Sequence, residues 1–104
     1  MTDGTNLPRE FEAIRTAHQA RAILDILVQY RAANERILGA WLQRLGLTAS
    51  RSELSILLDR LETAGLIRTD RVEQTRIVEL RQPGAEVASG TQRIDWIAAP
   101  ELPE

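Results

Sequence analysis

SRSELSILLDRLETAGLIRTDRVEQTRIVEL, residues 50–80, is the stretch that decides the fold. It opens on a helix start: in Ser50-Arg51-Ser52-Glu53 the serine oxygen can accept from the third amide while the glutamate reaches back to the cap. Leu54, Leu57, Leu58 and Leu61 recur at helical spacing and gather on one face. Ala64-Gly65 then supplies a residue able to take a left-handed C-terminal cap, so the helix runs for about 14 residues. Beyond it, Leu66-Ile67-Arg68-Thr69 and Arg76-Ile77-Val78-Glu79-Leu80 are rich in branched apolar residues and read as strands, with Asp70 to Thr75 forming their outer ends and turn. A helix that feeds directly into a hairpin is the second half of a winged helix.

Upstream, Asn34 is a good N-cap, and Ile37, Leu38, Trp41, Leu42 and Leu45 form the buried face of a helix that Gly46 ends. Only Leu47, Thr48 and Ala49 separate it from Ser50, a turn short enough for helix-turn-helix geometry. Arg31-Ala32-Ala33 is an extended link with room for a small third strand. Before it, Pro8 suits a first helical turn, and an apolar stripe from Phe11 to Val28 carries one long helix to Tyr30. Its second half, Ile23 to Val28, is dense enough for the core. Leu7, Phe11, Ile14 and His18 are sparser, and they either meet a second copy or are covered by the chain's own C-terminal segment.

Past Leu80, Gln82-Pro83-Gly84 turns the chain into a short helix, Ala85 to Ala88, ended by Gly90. Ile94, Trp96 and Ile97 are too apolar to float freely; they cover the first helix or form a dimer surface. The expected class is α+β: a winged helix-turn-helix of three helices, a β-hairpin wing and a short C-terminal helix. Residues 1–7 are expected to be disordered, 8–92 to form the domain, and 93–104 to be a partly packed tail, loose from Pro100 to Glu104.

Composition narrows the chemistry. The chain has no cysteine, a single histidine, His18, and no lysine, all thirteen of its basic residues being arginine. Thiolate metal sites and disulfides are excluded, and a Schiff base, a P-loop or a nucleophile–base pair lacks its parts. Glu10 with Glu12, and Asp59 with Glu62, read as solvated helix surface rather than as paired catalytic carboxylates. No enzyme activity, metal or cofactor is expected. With no apolar run near the ~18 residues of a membrane span, and acids in place of an apolar signal segment at the start, the expected location is the cytoplasm. Net charge is −2, but between Arg9 and Arg93 thirteen arginines face eleven acids, a balance of +2.

Turning the leucines of the third helix inward places Ser52, Ile56, Asp59 and Thr63 outward. Arg51, Ser52 and Ser55, near the start of that helix, are residue types that touch phosphates and base edges, and the N-terminal turn is where such helices make those contacts. Arg71 and Arg76 flank the hairpin tip as candidate backbone contacts, with Asp70 and Glu73 interleaved as cross-strand partners that could neutralise them. Asp59 and Glu62 would repel a duplex, and an exposed Ile56 suits a thymine methyl or a protein equally. Two functions stand side by side: a regulator binding double-stranded DNA, expected as a homodimer, and a protein-interaction module. Leu7, Phe11, Ile14, Ile56 and Trp96 are the candidate interface residues; Trp41 reads as core or its lid.

Tyr30-Arg31-Ala32-Ala33-Asn34-Glu35, Gly46, Ser50-Arg51, Gly65-Leu66, and Leu80 followed by Gly84 and Val87-Ala88-Ser89-Gly90 resemble, without evident gaps, small proteins of Mu-like transposable phages and prophages, often labelled winged-helix or ArsR-like regulators. The resemblance covers Arg21 to Gly90. It implies a winged-helix fold and a phage-encoded origin. The metal sensing that an ArsR-like label implies needs cysteine or histidine ligands, and with no cysteine and a lone His18 it does not carry over.

Overall fold

The computed structural model describes residues 7–100; the expectations for Met1 to Asn6 and Glu101 to Glu104 fall outside the described residues. Helix α1 spans Leu7–Tyr30 and sends Ala20, Ile23, Leu24 and Leu27 into the core. It stops because Arg31 adopts φ +71°, a left-handed conformation unusual for a residue with a Cβ, which swings the chain into strand β1 (Ala32–Asn34). Asn34 has two tasks. It closes β1, and its side chain accepts from the Ile37 amide at 2.9 Å to cap α2 (Glu35–Arg44).

The turn out of α2 is fixed from outside. Leu47 N–H returns to the Leu42 carbonyl at 2.7 Å, and the buried Gln19 of α1 donates to the carbonyls of Leu47 (3.0 Å) and Thr48 (3.3 Å). Backbone groups that neither helix can satisfy thereby find partners. Helix α3 (Arg51–Thr63) starts on the expected reciprocal cap: Glu53 N–H donates to Ser50 Oγ at 3.1 Å, and Ser50 N–H to Glu53 Oε1 at 2.8 Å. It ends where Gly65 takes φ +82° and Leu66 N–H reaches the Leu61 carbonyl. Leu54, Leu57, Leu58 and Leu61 are its buried face, as their spacing requires.

Strands β2 (Ile67–Val72) and β3 (Thr75–Leu80) form the hairpin, and β1 joins antiparallel on the other side of β3, giving the order β1-β3-β2. Val78, at the centre, pairs with Ala33 on one side and Thr69 on the other and is fully buried. The hairpin is longer than its apolar runs suggest. Val72 pairs with Thr75, so Asp70 to Val72 are strand and only Glu73 and Gln74 form the turn, with Glu73 at φ +60°.

Helix α4 (Gln82–Ser89) begins three residues earlier than expected, because Pro83 takes a first-turn position where its missing N–H costs nothing. Gly84 allows this. A Cβ there would collide with the Leu66 carbonyl and lie 2.8 Å from Leu80 Cδ1. The guanidinium of Arg21, held by Asp25, donates to the Val87 and Ala88 carbonyls at the far end of α4, where α4 has no cation of its own. The chain then crosses back: Ile97 is buried and Ala98 N–H donates to the Ala17 carbonyl at 3.1 Å. Of the two alternatives for Ile94, Trp96 and Ile97, covering the core of the same chain is the one observed.

Candidate nucleic-acid interface

Helix α3 makes different contacts along each flank. Toward α1 and the tail, Glu53 meets Arg15 at 3.5 Å and the Arg60 guanidinium lies 3.8 Å from the centre of the Trp96 ring. Toward the hairpin, Ser55, Asp59 and Glu62 converge on Arg76. Ser52, Ile56 and Thr63 remain outward, and Ile56 is 66% exposed beside the cleft between α3 and α1.

Where α3 begins, a groove of about 630 Å³ opens between the first turns of α2 and α3 and the tip of the hairpin. Arg36 borders it from α2, Arg51, Ser52 and Ser55 from α3, and Arg71, Gln74 and Thr75 from the hairpin. Four of the five candidate DNA contacts, Arg51, Ser52, Ser55 and Arg71, thus meet at one place although they lie up to 20 residues apart. Among the described residues, none of Arg36, Arg51 and Arg71 is in an ion pair. Glu35 is the one acid in the wall. Two helix N-termini also open there, and their unpaired amides add positive potential. Arg36 escaped the sequence reading; its signal was its place in the first turn after the Asn34 cap.

Arg76 is the candidate that does not join them. Directly opposite Arg71 in the hairpin, it is only 6% exposed. Its guanidinium donates to Asp59 Oδ1 at 2.7 Å and reaches Glu62 Oε1 and the carbonyl and hydroxyl of Ser55 at 3.5 Å. Burying a guanidinium is costly unless its charge is paired and its donors are bonded, and here α3 supplies the carboxylates. Arg76 therefore ties the hairpin to α3 instead of facing a duplex. Glu62 also accepts from the Thr69 hydroxyl (2.7 Å) and amide (3.1 Å), and these bonds, with the Arg76 charge nearby, lower its pKa below the ordinary carboxylate value. The neutralising acids thus come from α3, whereas Asp70 accepts only from the Arg71 amide and neither Asp70 nor Glu73 forms an ion pair among the described residues. Arg76 thereby offsets one of the two negative charges that Asp59 and Glu62 would present to an approaching phosphate.

The interface candidates divide too. Leu7 is the first residue of α1, and Phe11 and Ile14 are 67% and 56% exposed on its outer side. Trp96 is not a free interface residue, because its ring is taken up by Arg60 and packs against the core of its own chain.

Among solved structures, the chain is similar to a winged-helix DNA-binding protein from STIV, with a TM-score of 0.58 over 66% of this chain and 77% of that one and 21% sequence identity. The fold is a winged helix. In it α2 and α3 are the helix-turn-helix, the β2–β3 hairpin is the wing, and β1 is the third strand. No protein-family model matches the chain, and no curated protein matches it in sequence. No helix among the described residues is long and apolar enough to cross a membrane.

Proposed function

We propose that this winged helix binds double-stranded DNA, with the N-terminal turn of α3 in the major groove and the wing along the backbone, as a small transcriptional regulator. The observation that carries the proposal is the groove in which Arg36, Arg51 and Arg71, none of them in an ion pair among the described residues, surround the hydroxyls of Ser52 and Ser55. Arginines so placed grip phosphate oxygens or guanine edges, and short hydroxyl side chains between them read base edges without blocking the approach. The likeness to a winged-helix DNA-binding protein supports this use of the fold, and the resemblance to small proteins of Mu-like phages and prophages supports a phage-encoded regulator.

Ile56 favours a second reading. An isoleucine 66% exposed on the outer ridge of α3, in a body of near-neutral charge, suits a protein partner. Fluorescence anisotropy with a labelled library of promoter DNA across a salt series separates the two. DNA binding predicts dissociation constants near or below ~1 μM at physiological salt for some sequences, weakened by Arg51→Ala, Arg71→Ala and Arg36→Ala. An absence of binding at ~100 μM protein in low salt, where even non-specific attraction registers, overturns the proposal in favour of the protein partner.

A further inference from the structure

The first turn of α3 is carried by a linker that does little to place it. The bonds that residues 46–49 make for themselves, Gly46 N–H to the Gln43 carbonyl and Leu47 N–H to the Leu42 carbonyl, tie the linker to α2 and not to α3. Leu47 and Ala49 pack partly against the core, a contact without direction. Gln19 supplies the direction. It is 5% exposed on α1, and among the described residues it is the one side chain that hydrogen-bonds residues 46–49. Its amide has a single usable orientation, because both partners are carbonyls and only the NH₂ group donates. Thr48 stands two residues before the Ser50 cap and three before Arg51, so bonds of 3.0 and 3.3 Å to Leu47 and Thr48 fix where α3 starts relative to α1. One turn earlier on α1, Arg15 meets Glu53 at 3.5 Å, but both side chains are almost half exposed and such a pair holds weakly.

Resting on the DNA-binding proposal, we infer that Gln19 is a positioning residue for sequence discrimination: through the Leu47 and Thr48 carbonyls it sets Arg51 and Ser52 against base edges without touching DNA itself. Two kinds of contact differ in what they demand. A bidentate hydrogen bond to a base edge needs its donors placed within about 0.5 Å and 10–20°. A phosphate contact tolerates more, because the attraction is largely Coulombic and carries no sequence information. Freeing the linker therefore weakens recognition of a preferred sequence and spares attraction to any other. Thr48 is exposed, so its released carbonyl turns to water and the fold survives.

Gln19→Met tests this, since it keeps the length and helix propensity of the side chain and removes both donors. Fluorescence anisotropy compares the promoter fragment that the wild type binds most tightly with a base-scrambled copy. The variant is expected to keep the circular dichroism and salt slope of the wild type. Its affinity for the preferred fragment should fall about tenfold, the worth of one bidentate base contact, and that for the scrambled copy should stay within about twofold. Gln19→Glu has the same shape and remains polar, but its carboxylate offers no donor, so it should lose discrimination too and decides the matter if the Met variant does not fold. Gln29→Met, the same change at an exposed position of α1, should leave discrimination unaltered. A smaller folded fraction lowers both affinities in proportion and preserves their ratio. A preserved ratio in either Gln19 variant, or a wild type that binds both fragments alike, therefore overturns the inference and leaves DNA binding standing. A wild type that binds no DNA at ~100 μM in low salt overturns both.

Discussion

Arg71 and Arg76 face each other across one hairpin, and two carboxylates on α3 give them opposite fates. Like charges in direct register repel, so the pair is tolerable only because Asp59 and Glu62 take up Arg76 and leave Arg71 to solvent. The two residues are therefore separable by experiment. Arg76→Met should lower the urea-unfolding stability by about 1.5–3 kcal/mol, the range for losing hydrogen bonds to charged groups, while leaving the salt dependence of DNA binding unchanged. Arg71→Ala should change stability by no more than about 0.5 kcal/mol, yet reduce the slope of log K against log[salt] by about 0.9, the signature of one lost phosphate contact. A slope that falls with Arg76→Met and not with Arg71→Ala would reverse these assignments. The sequence offered no means of telling the two apart, because both alternate with acids along the wing. What decides between them is the angle at which the hairpin lies on α3, a tertiary fact.

At the scale of elements, two contacts hold the wing and its flanking helix, and each has its own test. Gly84→Ala places a methyl against the Leu66 carbonyl and Leu80, so overpacking should cost about 1–3 kcal/mol in a thermal melt, with α4 or the start of β2 forced to shift. The second contact is sensitive to acid. Glu62 has its pKa lowered in the fold by the Thr69 hydroxyl and amide and by Arg76, and Glu53 has its own lowered chiefly by the Ser50 amide, with Arg15 assisting. A lowered folded pKa contributes stability that is complete above the unfolded carboxylate value and disappears as pH falls through the folded one. The urea midpoint should therefore drop as the pH is taken from 5 toward 2.5, and Glu62→Gln should be less stable at neutral pH with a shallower acid limb. An unchanged acid limb in Glu62→Gln would remove this carboxylate from the clamp. Elements of this kind were largely legible: the Ser50–Glu53 cap, the stop at Gly65, the Asn34 cap and the leucine face are all written within four residues of where they act. Less legible were the start of α4, where Pro83 looked like a turn and its helical use depends on Gly84 meeting Leu66, and the reach of the wing strands past their apolar runs, which rests on cross-strand register.

For the whole molecule, the decisive quantity is how many cations the groove itself offers a polyanion. Arg15, Arg21, Arg68 and Arg76 are in ion pairs, Arg60 lies over Trp96 and Arg44 is 5.8 Å from the Trp41 ring centre. Net charge is −2, so no long-range field draws the chain to DNA, and attraction must come from the groove. If Arg36, Arg51 and Arg71 each displace one condensed counterion, the slope of log K against log[salt] is about −2.7 per chain, and about −5.4 if two copies engage one duplex. Both are modest slopes. Affinity should then fall only about 40-fold between 50 and 200 mM salt for a single chain, and unrelated competitor DNA should displace it poorly, because the electrostatic share that all sequences have in common is small. A slope steeper than about −8 would show phosphate contacts well beyond the groove and would bring the paired arginines back into the interface, Arg68 and Arg76 of the wing first.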